Sequence, residues 1–70
     1  MIDIKKCSVG DVCWALFPKV QRAPMYGTVE KFFESENVVQ ILTLNYGIRI
    51  AHVSNVFWSE KEAKEAKKKK

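Results

Sequence analysis

Short apolar runs separated by glycine, proline and polar residues organise most of the chain. In residues 9–17, a turn at Gly10 and Asp11 leads into a run of valine, cysteine and aromatic residues that suits a pleated strand. Pro18 ends this predicted strand, because proline lacks the amide hydrogen that a strand ladder needs. The following residues 18–24 contain a second proline and are predicted to form a loop.

The same pattern of strand and turn continues along the chain. Further strands are predicted at residues 25–33, 38–44 and 48–51, with polar turns at 34–37 and 45–47 and a tight turn at Asn55 before an apolar end. Short strands at a spacing of about ten residues, with no amphipathic helix among them, indicate an all-β barrel or sandwich. For a chain of 70 residues we expect a small barrel of four or five antiparallel strands, because closure removes exposed strand edges.

The composition changes from Ser59 onward. Ser59 suits a helix N-cap, and Glu62 follows it at the spacing of a capping box. Only Ala63 and Ala66 offer this segment an apolar surface, so we expect a short frayed helix or a disordered lysine-rich tail. The predicted organisation is therefore an N-terminal segment at 1–8, a barrel at 9–57 and a basic tail at 58–70.

Metal and nucleophilic chemistry would depend on Cys7, Cys13 and His52. The cysteines do not form a Cys-x-x-Cys pair and His52 is the single histidine, so a zinc site would lack ligands. A catalytic cysteine also needs an orienting base, and nothing in the sequence places His52 beside either thiol. We therefore expect a non-catalytic protein that uses no metal and no cofactor.

The sequence also bears on cellular location. No apolar stretch approaches the roughly 18 residues that a bilayer-spanning helix needs, and no secretory signal is visible. Two scattered cysteines without a disulfide framework suit a reducing compartment. These features predict an intracellular protein, cytoplasmic or associated with the nucleoid or nucleus, that does not contact membranes.

The net charge of +4 is unevenly distributed. Residues 1–57 carry six basic and five acidic residues, so the predicted barrel is close to neutral. Residues 58–70 carry six lysines and three glutamates, and four of those lysines are consecutive at the C terminus. A lysine run of this kind adds salt-sensitive affinity for phosphates, so the basic signal belongs mainly to the tail.

Four short motifs occur in an order that resembles the Tudor domain, a barrel of the SH3-like superfold. They are Val9-Gly10-Asp11 with Cys13 and Ala15 behind it, Tyr26, Asn45-Tyr46-Gly47, and Val53-Ser54-Asn55-Val56. The resemblance covers residues 9–57, and PWWP and KOW-type barrels share parts of it. It implies a small Tudor-like barrel that binds a partner.

Tudor domains that read methylated arginine or lysine hold the cation in an aromatic cage. The resemblance places Phe17, Tyr26 and Tyr46 at cage positions. It also places Thr43 where methylarginine readers have an aromatic residue, and Ile48 where they have an asparagine, so the implied cage is incomplete. Strand alternation adds that Tyr26 reaches the cage only if a bulge shifts the register; otherwise Met25 takes its place.

Two classes of function follow. The first is nucleic-acid binding, with phosphate contacts from basic side chains and stacking by Trp14 or Tyr46; the basic candidates are Lys19, Arg22, Arg49, Lys67, Lys68, Lys69 and Lys70. The second is an adaptor or inhibitor module that grips a protein, such as a methylated or basic peptide. It would use the aromatic barrel end or the face of Trp14. The resemblance implies that Cys13, Ala15 and Phe17 pack inward, so Trp14 points outward as a partner surface unless residues 2–4 or residues 57–58 cover it. Self-association through exposed strand edges is compatible with either class.

Overall fold

The structure is a computed structural model that describes residues 2–68. Within that range the chain forms five strands and one α-helix: β1 (Val12–Ala15), β2 (Met25–Phe33), β3 (Val38–Thr43), β4 (Gly47–His52), β5 (Val56–Phe57) and α1 (Glu60–Lys68). Short 3-10 helices lie at Ile4–Lys6, Glu34–Glu36 and Val53–Asn55. The prediction of a mostly β chain of antiparallel strands is confirmed, and the C-terminal tail is helical, which is one of the two alternatives expected for it.

The strands form one antiparallel sheet in the order β4-β3-β2-β1-β5. The long strand β2 pairs with β1 through its first half and with β3 along most of its length. A bulge between Val29 and Lys31 shifts the β2–β3 register, and such bulges bend a strand and increase its twist. Strands β4 and β5 lie at opposite edges of the sheet, yet only the 3-10 helix Val53–Asn55 joins them.

One face of the sheet, called the inner face here, carries the main core. Each strand contributes small or branched side chains to it: Cys13, Ala15, Val29, Val39, Ile41, Ala51 and Val56. Ile2, Ile4 and Cys7 from the N-terminal segment and Val53 from the last 3-10 helix pack against these residues. The N-terminal segment is therefore part of the folded domain.

Gly27 lies on this inner face, where β2 and β3 approach closely. A Cβ atom at this position would lie 2.5 Å from Cγ2 of Ile41 and 2.7 Å from the carbonyl oxygen of Leu42. Real Cβ atoms essentially never come so close to a backbone atom. The sequence predicts a bend or a close approach at Gly27, and the close approach is what the structure shows.

Helix α1 is better anchored than its sequence predicts. The Ser59 hydroxyl accepts a hydrogen bond from the amide of Glu62 at 3.2 Å, so the N-cap is present. The helix contacts β1 and β5, and Ala63 is fully buried. We expected a frayed helix or a disordered tail because the segment has almost no apolar surface. The small side chain of Ala63 lets the helix backbone lie close to the sheet.

No helix within residues 2–68 is long and apolar enough to cross a membrane.

Candidate binding surfaces

Trp14 lies on the outer face of the sheet, opposite to the core, as strand alternation predicts. Its neighbours Cys13 and Ala15 are fully buried on the inner face. Across the sheet, Trp14 pairs with Tyr26 on β2 and with Phe57 on β5. The rings of Trp14 and Tyr26 meet edge to face, with centroids 5.1 Å apart and planes at 71°. This contact fixes the orientation of both rings.

The C-terminal end of the chain lies beside the strands that carry this aromatic row. Phe57 is buried although it does not belong to the inner core. Helix α1 lies against β5 and β1, the strands that carry Phe57 and Trp14. Trp14 is half-buried. Tyr26 is 38% exposed.

The aromatic residues that the resemblance assigns to a cage have different surroundings. Phe17 packs against the inner core, whereas Tyr26 faces outward beside Trp14. The bulge in β2 follows Tyr26 in the chain and does not reverse it. Met25 is instead the buried residue opposite Ala15. Alternation therefore directs Tyr26 away from the inner face that Phe17 contacts, as expected where no bulge precedes it.

Thr43 and Tyr46 belong to the turn between β3 and β4. The Thr43 hydroxyl donates a hydrogen bond to the carbonyl of Gly47 at 2.6 Å and accepts one from the amide of Tyr46 at 3.1 Å. Gly47 adopts φ +70°, a value that favours glycine. Thr43 therefore stabilises the turn, and Tyr46 is held at its tip with 40% of its surface exposed.

Basic side chains converge between α1 and the loop that precedes β2. A groove of about 480 Å³ is lined there by Arg22, Ala23, Pro24, Lys64, Lys67 and Lys68. We call this surface the basic groove. The Lys67 ammonium donates a hydrogen bond to the backbone carbonyl of Arg22, which ties the helix to the loop. Lys64 also pairs with Glu60 at 3.5 Å, one turn earlier in the helix.

The predicted basic residues are only partly brought together. Arg22, Lys67 and Lys68 share the basic groove, and Lys64 joins them although it was not predicted. Lys19 lies exposed in the same loop as Arg22. Arg49 lies on β4, which is the edge strand far from β5 in the strand order. Lys69 and Lys70 lie outside the described residues. Neither Lys19 nor Arg49 lines the basic groove.

The structure also has a second surface that was not predicted from the sequence. On the outer face, the row Val12, Thr28, Leu42 and Ile48 crosses four strands, and Ile50 lies in the next row. Leu44 extends the surface, because its amide bonds the carbonyl of Tyr26 at 3.3 Å. We call the apolar members the outer apolar patch: Val12, Tyr26, Leu42, Leu44, Ile48 and Ile50. Alternation through residues 38–50 contained the signal, but there Ile48 was assigned to the cage.

The two cysteines are buried, and the histidine takes part in a helix cap. Burial raises the pKa of the Cys13 thiol to about 11, with smaller contributions from Cys7 and Asp11. Burial also raises the pKa of the Cys7 thiol. Both thiols therefore stay protonated at neutral pH. The His52 ring accepts a hydrogen bond from the amide of Ser54 at 3.2 Å and so caps the last 3-10 helix. Residues 2–68 contain no cluster of three potential metal ligands.

Comparisons with protein-family models, with characterised proteins and with solved structures give no match to this chain.

Proposed function

We propose that this protein is a small non-catalytic binding module that contacts nucleic acid through the basic groove. One observation carries the proposal: Arg22, Lys64, Lys67 and Lys68 line a single groove that has no acidic residue in its lining. Phosphates bind to clustered cationic side chains, and this affinity does not depend on base sequence. The chain continues from Lys68 into two further lysines, which extends the positive charge.

The groove suits a phosphate backbone better than a compact anion. It is open and about 480 Å³ in volume, and its cations come from two separate segments of the chain. Arg22 offers a planar fork of donors for phosphate oxygens, whereas the lysines act as mobile point charges. Such a surface fits a linear polyanion that passes over several charges in turn.

In this proposal, aromatic stacking contributes less to nucleic-acid binding than the sequence predicts. Trp14 is half-buried beside Tyr26, so its face is less accessible to a base. Tyr46 and Trp58, which are 40% and 38% exposed, are the more accessible rings. We propose that phosphate contacts supply most of the affinity.

We further propose that the sheet closes into an SH3-like, Tudor-like barrel. The edge strands β4 and β5 are four strand spacings apart, which is about 19 Å in a flat sheet. The 3-10 helix Val53–Asn55 joins them, and this type of helix advances only about 2 Å per residue. A connection this short supports a strongly curled sheet. Membership of the Tudor family is a proposal on the same footing, since it rests on the four motifs.

Barrel closure can be tested by nuclear Overhauser effects between Ala51 on β4 and Cys13 on β1. In a flat sheet these residues would be at least three strand spacings apart, which is about 14 Å. A nuclear Overhauser effect between protons is not detectable over that distance. A clear effect between their side-chain protons would support closure. Its absence from a fully assigned spectrum would show an open sheet.

The nucleic-acid proposal is tested by a salt titration of binding to labelled duplex DNA and to single strands. The logarithm of affinity should fall linearly with the logarithm of salt, by about 0.9 per phosphate neutralised on a duplex. Replacing Lys64, Lys67 and Lys68 by glutamine should reduce the steepness of this line by up to about 2.7. Reduced affinity at low salt should accompany the change.

A matched control removes the same charge elsewhere. Lys5, Lys6 and Lys31 are exposed lysines outside the groove lining, so their replacement by glutamine gives the same net charge. This control should retain most of the affinity. Equal losses in the two triple variants would show a diffuse charge effect rather than a site. No binding of the intact protein at about 50 mM salt would refute the nucleic-acid proposal.

A protein partner is the second candidate, and the outer apolar patch favours it. Four strands contribute exposed apolar side chains to this surface, and the basic groove does not involve them. Affinity purification of the tagged protein, with and without nuclease treatment, separates the two candidates. Partners that persist after nuclease treatment support protein binding.

A further inference from the structure

The outer apolar patch is larger than a nucleic-acid module requires. Leu44, Ile48 and Ile50 are 76%, 57% and 61% exposed, and Val12, Tyr26 and Leu42 add to the same surface. Together these side chains expose on the order of 500 Å², whereas soluble monomers rarely leave contiguous apolar patches of more than a few hundred Å². Such a surface is typical of a contact with another macromolecule.

Its position in the fold separates it from the helix. The patch lies mainly on β2, β3 and β4, whereas α1 contacts β1 and β5. Its central row, from Val12 through Thr28 and Leu42 to Ile48, contains no charged residue. Lys31 is the nearest charge in the adjacent row, where it pairs with Gln40. Two identical surfaces of this kind can meet without opposing like charges at their centre.

We propose that the outer apolar patch is a homodimer interface, in which two copies of the chain pack their β3–β4 faces against each other. Two sheets pack face to face at about 10 Å, with their side chains interdigitated. The paired patches would bury on the order of 1,000 Å² of apolar surface, before the polar rim at Thr28 and Gln40 is counted. Stable interfaces bury roughly 1,200–2,000 Å² in total, so the apolar patches supply most of the area at the lower end of that range and the rim must add at least about 200 Å².

The charge distribution leaves the patch open to a second copy as the occupant. The protein carries a net charge of +4, and the cations of the basic groove lie around α1 and residues 22–24. Docking through β3 and β4 therefore keeps the basic grooves of the two copies apart. The interface does not depend on the nucleic-acid proposal, because no residue of the basic groove belongs to the patch.

Sedimentation equilibrium of the intact, nucleic-acid-free protein tests the proposal. The average mass should rise from that of a monomer towards twice that value as the protein concentration rises from about 1 µM to about 1 mM. The double variant Ile48→Thr with Ile50→Thr keeps β-branched residues in the strand but reduces apolar contact. It should raise the dissociation constant at least about tenfold. Circular dichroism melting of the variant checks that it remains folded.

Val9→Thr is the matched control, because Val9 is 67% exposed and lies outside the patch. It should leave the dissociation constant unchanged. Dilution of the unmodified protein should also shift the amide resonances of β3 and β4 rather than those of α1. A monomer throughout the concentration range would overturn the proposal. A dimer that is insensitive to the double variant, or whose shifts map to α1, would overturn it equally.

Discussion

The two faces of the sheet use similar residues for different purposes. On β3, Val39 and Ile41 are fully buried on the inner face, whereas Leu42 on the outer face is 44% exposed. The N-terminal segment and the last 3-10 helix pack on the inner side chains, whereas the outer apolar patch stays exposed within residues 2–68, where α1 contacts β1 and β5. Apolar character along a strand therefore indicates burial on one face and an exposed surface on the other. Whether an apolar strand residue is buried or exposed depends on whether segments that are distant in the chain pack over its face.

The largest expected effect comes from shortening a core residue on the inner face. Ile41→Ala removes a fully buried side chain and leaves a cavity that the neighbouring strands cannot fill. The free energy of unfolding should fall by about 2–5 kcal/mol, a large share of the stability of a domain this small. Urea denaturation followed by tryptophan fluorescence measures the loss. A loss below about 1 kcal/mol would show that the inner face is not tightly packed.

A slightly smaller effect is expected where β2 and β3 approach most closely. Gly27→Ala places a methyl group against Ile41 and the backbone of Leu42, so the strands must separate. We expect a loss of about 1–3 kcal/mol, as for other overpacked positions. Gly10→Ala is a useful comparison, because its added Cβ meets nothing within 4 Å and any cost comes from its φ of +96°. If Gly27→Ala left stability unchanged, the close approach of the strands would be wrong.

The contact between α1 and the sheet should be sensitive to side-chain size. Ala63→Gln keeps a good helix former but puts a long polar side chain where Ala63 is fully buried. Thermal unfolding should show a loss of about 1–2 kcal/mol. Glu65→Gln changes an exposed position of the same helix and should stay within about 0.5 kcal/mol. Equal melting temperatures for both variants would mean that α1 is not docked in solution.

The smallest effect on the stability of the monomer is expected on the outer face. Ile48→Ala removes a side chain that is 57% exposed. At concentrations where the protein is monomeric, the free energy of unfolding should change by only about 0.5 kcal/mol or less. A loss comparable to that of Ile41→Ala would show that Ile48 is covered within the monomer. The difference between the two isoleucines is thus a direct measure of the difference between the faces.

Much of the fold could be predicted from local pattern. Pro18 and the glycine turns fixed the strand boundaries to within a few residues, and alternation placed Trp14 and Cys13 on opposite faces. The docking of α1 could not be predicted, because one buried alanine is not a recognisable apolar stripe. The basic groove also could not be predicted, because it brings Arg22 together with lysines that are distant in the sequence.

The sheet combines strand pairs that are close in sequence with a pair that is far apart, and this has a consequence for the order of folding. The β3–β4 hairpin joins residues that are close in sequence, so little chain entropy is lost when it forms. The pairing of Trp14 with Phe57 closes nearly the whole domain and should come late, because distant contacts are slow to form. Pulsed hydrogen exchange during refolding should therefore protect the amides of β3 and β4 before those of β5. The two-residue strand β5 would then pair last, and its pairing would complete the cooperative folding of this chain.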